Sequence, residues 1–222
     1  MISLVLAESS LELVPKKIQT HPSVLSHCEK LGKKPSEILL DNSWHFAAMK
    51  GIKDEIKRGR PDLVHFSLLE ACSIPLFFEK KISVYVHTID DKVIIMGNEI
   101  RLPKSYHRFE GLIEKLYSER VILADGKKLL EMKNMTFDQL IDEINPKRII
   151  GLSTQGVFSS CEDVAKKLSD NSCIVIGGFP KGNFSDLIKK HVEYLVNINK
   201  SSLESHIVVS RILYEYEKTI FM

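Results

Sequence analysis

The chain lacks any stretch near the roughly 20 apolar residues that a membrane-spanning helix needs. Its opening, MISLVLAESSLELVP, has no basic leading region and no long apolar run. That predicts a strand followed by a helix in place of a signal peptide. Cysteine is scarce: Cys28, Cys72, Cys161 and Cys173 stand apart with no CxxC spacing, which argues against zinc and a disulfide scaffold. Cys161 and Cys173 lie in apolar or helical contexts and read as inert core thiols. No sign of charge dominates, the net being +2. There is no GxGxxG after the first strand, so the dinucleotide fingerprint is missing. GGFPKG has the wrong spacing for a Walker A loop and lacks the following Ser or Thr. No nucleophile elbow is present, and the serines near His206 sit in a helical run, so no catalytic triad is expected. Repeats and low-complexity linkers are absent too. These absences predict a soluble, cytosolic protein without a membrane partner.

What is present is apolar content for a core: 44% of 222 residues, enough for one large domain or two small ones. The run at 2–7 predicts a buried strand, with Ser9 or Ser10 capping a helix that has Glu12 in its first turn. HPSVLSHCEKLGKKP predicts a helix ending near Gly32, EILLD (37–41) a strand, and SWHFAAMKGI a helix capped by Asn42. LVHFSLLEAC predicts a buried helix, KISVYVHT (81–88) a strand, and Gly97-Asn98 a hairpin turn within 93–102. A helix follows over 104–119. The second half predicts a helix at 135–145 capped by Thr136, then strand KRIIGLST, loop Gln155-Gly156 and helix SCEDVAKKLSD. Strand SCIVIGG, loop FPKGNF, strand VEYLVNINK and a closing helix complete it. Strands alternating with helices at this spacing imply parallel βαβ units.

Cations gather in the middle third: Arg58, Arg60, Lys80, Lys81, Lys92, Arg101, Lys104 and Arg108. A local basic patch on a near-neutral chain fits a polyanion, nucleic acid first, and also fits ordinary surface lysine. In RGRPDLVHF, Arg58, Arg60 and Asp62 stand on a stiff Gly-Pro turn before an apolar run. Arg60–Asp62 fits both a binding element and a salt bridge pinning a loop. Ligands of open α/β sheets bind at the carboxyl ends of the strands, where LSTQGV, IGGFPKGNF and VNINKSSLE fall. Gly177, Gly178 and Gly182 let backbone approach a ligand closely, and they also fit plain turns. His45 and His65 read as satisfied core histidines. HTIDD reads as a turn formed by Asp90 and Asp91 rather than a metal cluster.

Taken together, RGRPDLVHF, HTIDD, RLPKSYHRFEGLIEKL and IGGFPKG resemble the SPOUT-class, N1-specific pseudouridine methyltransferases of small-subunit ribosomal RNA, in their archaeal form. The resemblance runs over nearly the whole chain. It implies an α/β fold: a SPOUT-like, mostly parallel sheet flanked by helices, with a C-terminal trefoil knot. True knots are rare, and no periodicity signals one. It implies one methyltransferase domain over 1–222, an RNA-binding part inserted at 52–120, and a knotted cofactor-binding half at 135–222. It implies S-adenosyl-L-methionine as cofactor, a homodimer, and small-subunit ribosomal RNA as partner, with ribosomal proteins or assembly factors as further partners.

By the family's pattern, RNA contacts fall on Arg60, Arg101, Lys104 and Arg108, and Asp62 braces the first arginine. Cofactor contacts fall on Thr154, Gly156, Gly177, Gly178, Gly182, Leu195, Val196, Asn197, Ile198, Asn199, Lys200 and Leu203. The family often has Arg where Lys104 stands, and lysine lacks the fork for bidentate phosphate binding. Arg60 and Asp62 are the expected catalytic pair, Arg60 stabilising an N1 anion on a splayed base. Arg58 has only general phosphate attraction. The proton acceptor is Asp62 or water. Two rival readings are a non-catalytic ribosomal RNA assembly factor and a SPOUT methyltransferase acting on another RNA such as transfer RNA.

Overall fold

A computed structural model describes residues 1–221. In chain order the elements are β1 (Ile2–Ser9), α1 (Pro22–Leu31), α2 (Asn42–Met49), α3 (Pro61–Cys72), α4 (Pro75–Phe78), β2 (Ile82–Thr88) and β3 (Lys92–Met96). Then come α5 (Tyr106–Glu119), β4 (Val121–Ala124), β5 (Lys127–Asn134), α6 (Phe137–Ile144), β6 (Arg148–Phe158) and α7 (Cys161–Lys167). β7 (Ser172–Gly177), α8 (Asp186–Lys189), β8 (Tyr194–Asn197) and α9 (Ser205–Phe221) close the chain.

One eight-stranded sheet runs β4-β5-β3-β2-β1-β7-β6-β8. The half from β2 to β8 is parallel, and β3, β5 and β4 extend it antiparallel. β1 is central and buried on both faces, as its near-continuous apolar run demands. Alternation sorts its side chains. Ile2, Leu4 and Leu6 join the core formed with α3, α5, α7 and α9, while Val5 and Ala7 pack with Phe137, Leu140 and Ile188 from α6 and α8. A satellite core of Val14, Val24, Ile38, Leu40 and Met49 holds α1 and α2. Sequence signals fix several ends as expected. Gly32 closes α1 with φ 62°, and Thr136 opens α6 with a capping box to Gln139. Asp91, at φ 55°, sits in the turn between β2 and β3.

Other expectations fail for physical reasons. No helix follows β1, because Ser9 and Ser10 bond elsewhere: Ser9 Oγ donates to the Leu6 carbonyl at 2.9 Å, and Ser10 Oγ accepts from the Arg60 amide at 2.6 Å. Glu12 is buried against Arg58 and starts no helix. EILLD forms no strand beyond a single bridge, Leu13–Leu39, because the Leu39 amide is taken by the Glu114 carboxylate at 3.1 Å. Its leucines fill core instead. Asp41, not Asn42, caps α2, accepting from the Ser43 amide at 2.8 Å. Gly97-Asn98 makes no hairpin. Gly97 ends β3 beneath the Lys128 carbonyl of β5, where a Cβ would clash. β6 continues through Gln155 and Gly156, which were expected to form a loop. The β4–β5 hairpin went unrecognised in the sequence. Within SIPLFF, Leu76 and Phe77 are core and Phe78 is exposed. No helix among the described residues is long and apolar enough to cross a membrane.

Candidate active site

The parallel half brings the ends of β6, β7 and β8 together, as strand polarity requires. Together with the starts of α3 and α9 they enclose a cleft of about 360 Å³. Its apolar wall includes Leu152, Ile176, Leu203 and Val208. Its polar wall includes Thr154, Asn183, Asn197, Asn199, Ser201 and Ser202. Of the expected cofactor residues, Thr154, Gly177, Gly182, Asn197, Ile198, Asn199 and Leu203 line the cleft. Gly156, Gly178, Leu195, Val196 and Lys200 do not line it. Gly156 and Gly178 sit behind it for a steric reason. A Cβ on Gly156 would lie 2.5 Å from the Leu195 carbonyl, and one on Gly178 would strike Ser9. Gly156 thus lets residues 153–156 press against the backbone of β8 at a register shift, where Val196 pairs with both Leu152 and Val157. Only glycine allows so close an approach.

The loop after β7 is tied down from several sides. The Ser205 hydroxyl donates to the Gly177 carbonyl, and the Ser185 amide reaches the Glu8 carboxylate at 3.3 Å. Glu8 also pairs with Lys57 at 2.7 Å, and Lys57 lies over the Phe179 ring. Neither Glu8 nor Lys57 was singled out from the sequence, since isolated charges 49 residues apart carry no pattern.

Arg60 stands at the mouth of this cleft. It caps α3, with Pro61 preset for the first turn. Its Nε and Nη2 donate to Asp62 Oδ1 and Oδ2 at 2.7 and 2.8 Å, a bidentate pair. That pairing raises the Arg60 pKa and keeps the guanidinium charged. Both side chains are 31% exposed, so the pair adds at most about 1 kcal/mol to stability. Its significance is aim. The Ser10 amide donates to the Gly178 carbonyl at 2.8 Å, so Ser10 links the cleft loop to the Arg60 backbone.

Arg101, Lys104 and Arg108 are exposed and lie outside the cleft. Their loop is anchored by His65, whose ring nitrogen Nε2 lies 2.7 Å from the Pro103 carbonyl and whose ring stacks on Phe109 at 4.2 Å. His65 is therefore a core histidine that ties the basic loop to α3 through Nε2, but it is only half satisfied, since its buried Nδ1 has no hydrogen-bond partner among the described residues. Burial lowers its pKa and keeps it neutral. Below, the Tyr106 hydroxyl donates to Asp41 at 2.7 Å, and the Asp41 amide donates to His45 Nδ1 at 3.1 Å. His45 is fully buried, with its pKa pushed down to about 4, mainly by burial. Arg58 departs from expectation: it does not offer itself to phosphate but turns inward to Glu12 at 2.6 Å. Burial raises the Glu12 pKa to about 7 against the opposing pull of Arg58. Lys92 likewise pairs with Asp90. Among the described residues no three His, Cys, Asp or Glu side chains converge as a metal site.

The family model for the EMG1/NEP1 methyltransferase matches residues 4–217. The chain is 40% identical over 222 residues to the ribosomal RNA small subunit methyltransferase Nep1 of Thermococcus sibiricus, covering 99% of each. It is 41% identical over 214 residues to the protein of that name from Staphylothermus marinus, covering 96% of this chain and 93% of that one. The crystal structure of Archaeoglobus fulgidus Nep1 bound to S-adenosylhomocysteine superposes with a TM-score of 0.87, at 37% identity and 97% coverage of both chains. A match over this much of the chain, in sequence and in fold, places the protein in the EMG1/NEP1 methyltransferase family.

Proposed function

We propose that the protein methylates N1 of a specific pseudouridine in small-subunit ribosomal RNA, with S-adenosyl-L-methionine as methyl donor. The observation that carries this reading is a charged, pre-aimed Arg60 at the mouth of a cleft that suits a small molecule. The cleft volume falls within the range of ligand sites. Its mixed wall suits a ligand with an apolar ring and several polar groups. The residues that would hold the cofactor are Thr154, Gly177, Gly182, Asn197, Ile198, Asn199 and Leu203, with Gly156 and Gly178 allowing their backbones to close in. Bound there, the cofactor supplies an electrophilic sulfonium methyl.

Pseudouridine joins its sugar through carbon, so N1 carries a removable proton. Arg60 beside the uracil oxygens stabilises the N1 anion, because an opposite charge within hydrogen-bonding range favours the ionised form. Asp62 fixes the guanidinium so that little reorganisation accompanies the reaction. Alignment of N1 behind the methyl supplies several kcal/mol, positioning effects reaching ~7–11 kcal/mol in the best cases. Arg101, Lys104 and Arg108 grip phosphates, and the base is splayed from its loop as single-stranded recognition requires.

The same proposal includes work in the cytoplasm. Its four cysteines are free thiols, as a reducing compartment favours. It also includes a homodimer and a C-terminal knot. Val157 and Phe158 are 80% and 64% exposed, a surface suited to a second copy. The knot rests on the family resemblance and on the close approach of Gly156 to β8. A solution mass of 25.3 kDa would refute the dimer, and an experimental backbone closing to an unknotted curve would refute the knot. The activity is tested by nucleoside mass spectrometry of a deletion strain. Small-subunit ribosomal RNA should lose one N1-methylpseudouridine; loss from transfer RNA alone, or from a ribose oxygen, would favour another substrate.

A further inference from the structure

The account so far leaves the N1 proton without a destination. Asp62 is poorly suited to receive it, because both carboxylate oxygens already accept from the Arg60 guanidinium. The cleft itself holds one acid among the described residues that line it, Glu204, in the turn just before α9. Glu204 shares the cleft with Arg60. Its side chain is 64% exposed, so a proton taken up there can pass on to water.

A second group bears on this carboxylate. His206 Nδ1 lies 3.4 Å from Glu204 Oε2, too oblique for a full hydrogen bond. That nitrogen is buried and has no other partner among the described residues. Phe66 of α3 sets its ring edge-on to the imidazole, with centroids 5.8 Å apart. A buried ring nitrogen without a partner carries a desolvation cost, which a nearby carboxylate offsets. His206 thus lies against Glu204 at 3.4 Å, and the carboxylate is the acid nearest that nitrogen among the described residues.

The geometry points to Glu204 as the group that accepts the N1 proton of the target base. This rests on the N1-pseudouridine reading. Arg60 and Glu204 then present a donor and an acceptor to the same cleft. Pseudouridine offers the complementary pair, a C2 carbonyl next to N1–H. The step balances. The N1–H proton passes to a Glu204 oxygen, and its bonding pair stays on nitrogen. That pair attacks the sulfonium methyl, and the carbon–sulfur pair leaves on sulfur. Glu204 returns its proton to water. The charged and titratable groups around Glu204 are Arg60 with its partner Asp62, Lys181, which lines the same cleft, and His206 at 3.4 Å.

The test is single-turnover methyl transfer to a ribosomal RNA fragment carrying pseudouridine, followed against pH, for wild type, E204Q and E204D. S-adenosylhomocysteine and RNA affinities are measured in parallel. General-base catalysis is worth about 10²–10⁴-fold, so E204Q should lose about that much in rate while both affinities hold. The wild-type rate should fall on acidification. E204Q should lack that acidic limb, and E204D should restore it at a lower rate. A purely structural role would lower the rate and leave the limb in place. An E204Q rate within about threefold of wild type, or an unchanged acidic limb, would overturn the proposal while leaving the reaction intact. If wild type leaves the pseudouridine unmethylated, the N1 reading falls and this proposal with it.

Discussion

The cleft at the ends of β6, β7 and β8 presents mainly backbone and short neutral side chains, whereas the surface from Arg60 to Arg108 presents long cations. The two are also held differently. The cleft is shaped by glycines that let neighbouring segments approach closely, at Gly156 and Gly178. The basic surface is held from beneath by buried histidines and a buried aspartate: His65 on Pro103, His45 on Asp41, Asp41 on Tyr106. Backbone recognition suits a small ligand of fixed shape. Side-chain charge suits a polyanion. Arg60 is where the two systems meet, since it lines the cleft and is tied through Ser10 to the cleft loop. The difference implies that they can be damaged separately.

The largest separation should come from Arg60→Ala. Loss of a preorganised donor to a developing anion typically costs about 10²–10³-fold in rate. Methyl transfer should fall by that order, while S-adenosylhomocysteine affinity by calorimetry stays near wild type. Equal loss of both would merge the two systems into one. Acid should act next, and on the basic side. Folded His45 titrates near pH 4 against an ordinary value of about 6.5, so its contribution is complete above pH 6.5 and is lost as pH falls toward 4. That contribution is on the order of 3 kcal/mol. Urea unfolding at pH 7 and pH 4.5 should show the decline, and His45→Gln should flatten it. Equal slopes in the two proteins would contradict the role given to His45. The smallest effect should come from Arg101→Ala. It removes one phosphate contact and flattens the salt dependence of RNA affinity by about 0.7 in log–log slope. An unchanged slope would remove Arg101 from the interface.

The two systems also differed in how legible they were. Cations and glycines are visible in a sequence, but their partners are not. Arg58 and Arg60 look alike in RGRPD, yet Arg58 turns inward to a glutamate 46 residues away while Arg60 reaches outward. Nothing local distinguishes them, because Glu12 was expected in a helix. The Arg60–Asp62 pair was foreseeable through the family resemblance, since the residues alone fitted a loop-pinning salt bridge as well. The Ser10 and His65 anchors were not, since both depend on tertiary contacts. The parallel character of one half followed from alternating elements, whereas its strand order is a tertiary fact that the sequence does not carry. The antiparallel extension was missed because β5, KKLLEMKN, is too charged and too exposed to alternate cleanly. EILLD misled because an apolar run serves a satellite core as well as a ladder. Gly156 read as a loop glycine, whereas its use is a close backbone approach inside a strand.

The central claim is that the cleft and Arg60 together act on N1 of pseudouridine. Two ribosomal RNA fragments identical except for uridine or pseudouridine at the target position test it most directly. They are incubated with the protein and S-adenosyl-L-methionine, then digested for nucleoside mass spectrometry. The account predicts N1-methylpseudouridine from the second fragment and no methylated base from the first, whose N1 is bonded to the sugar. Methylation of both fragments, or a methyl found on ribose, would contradict it.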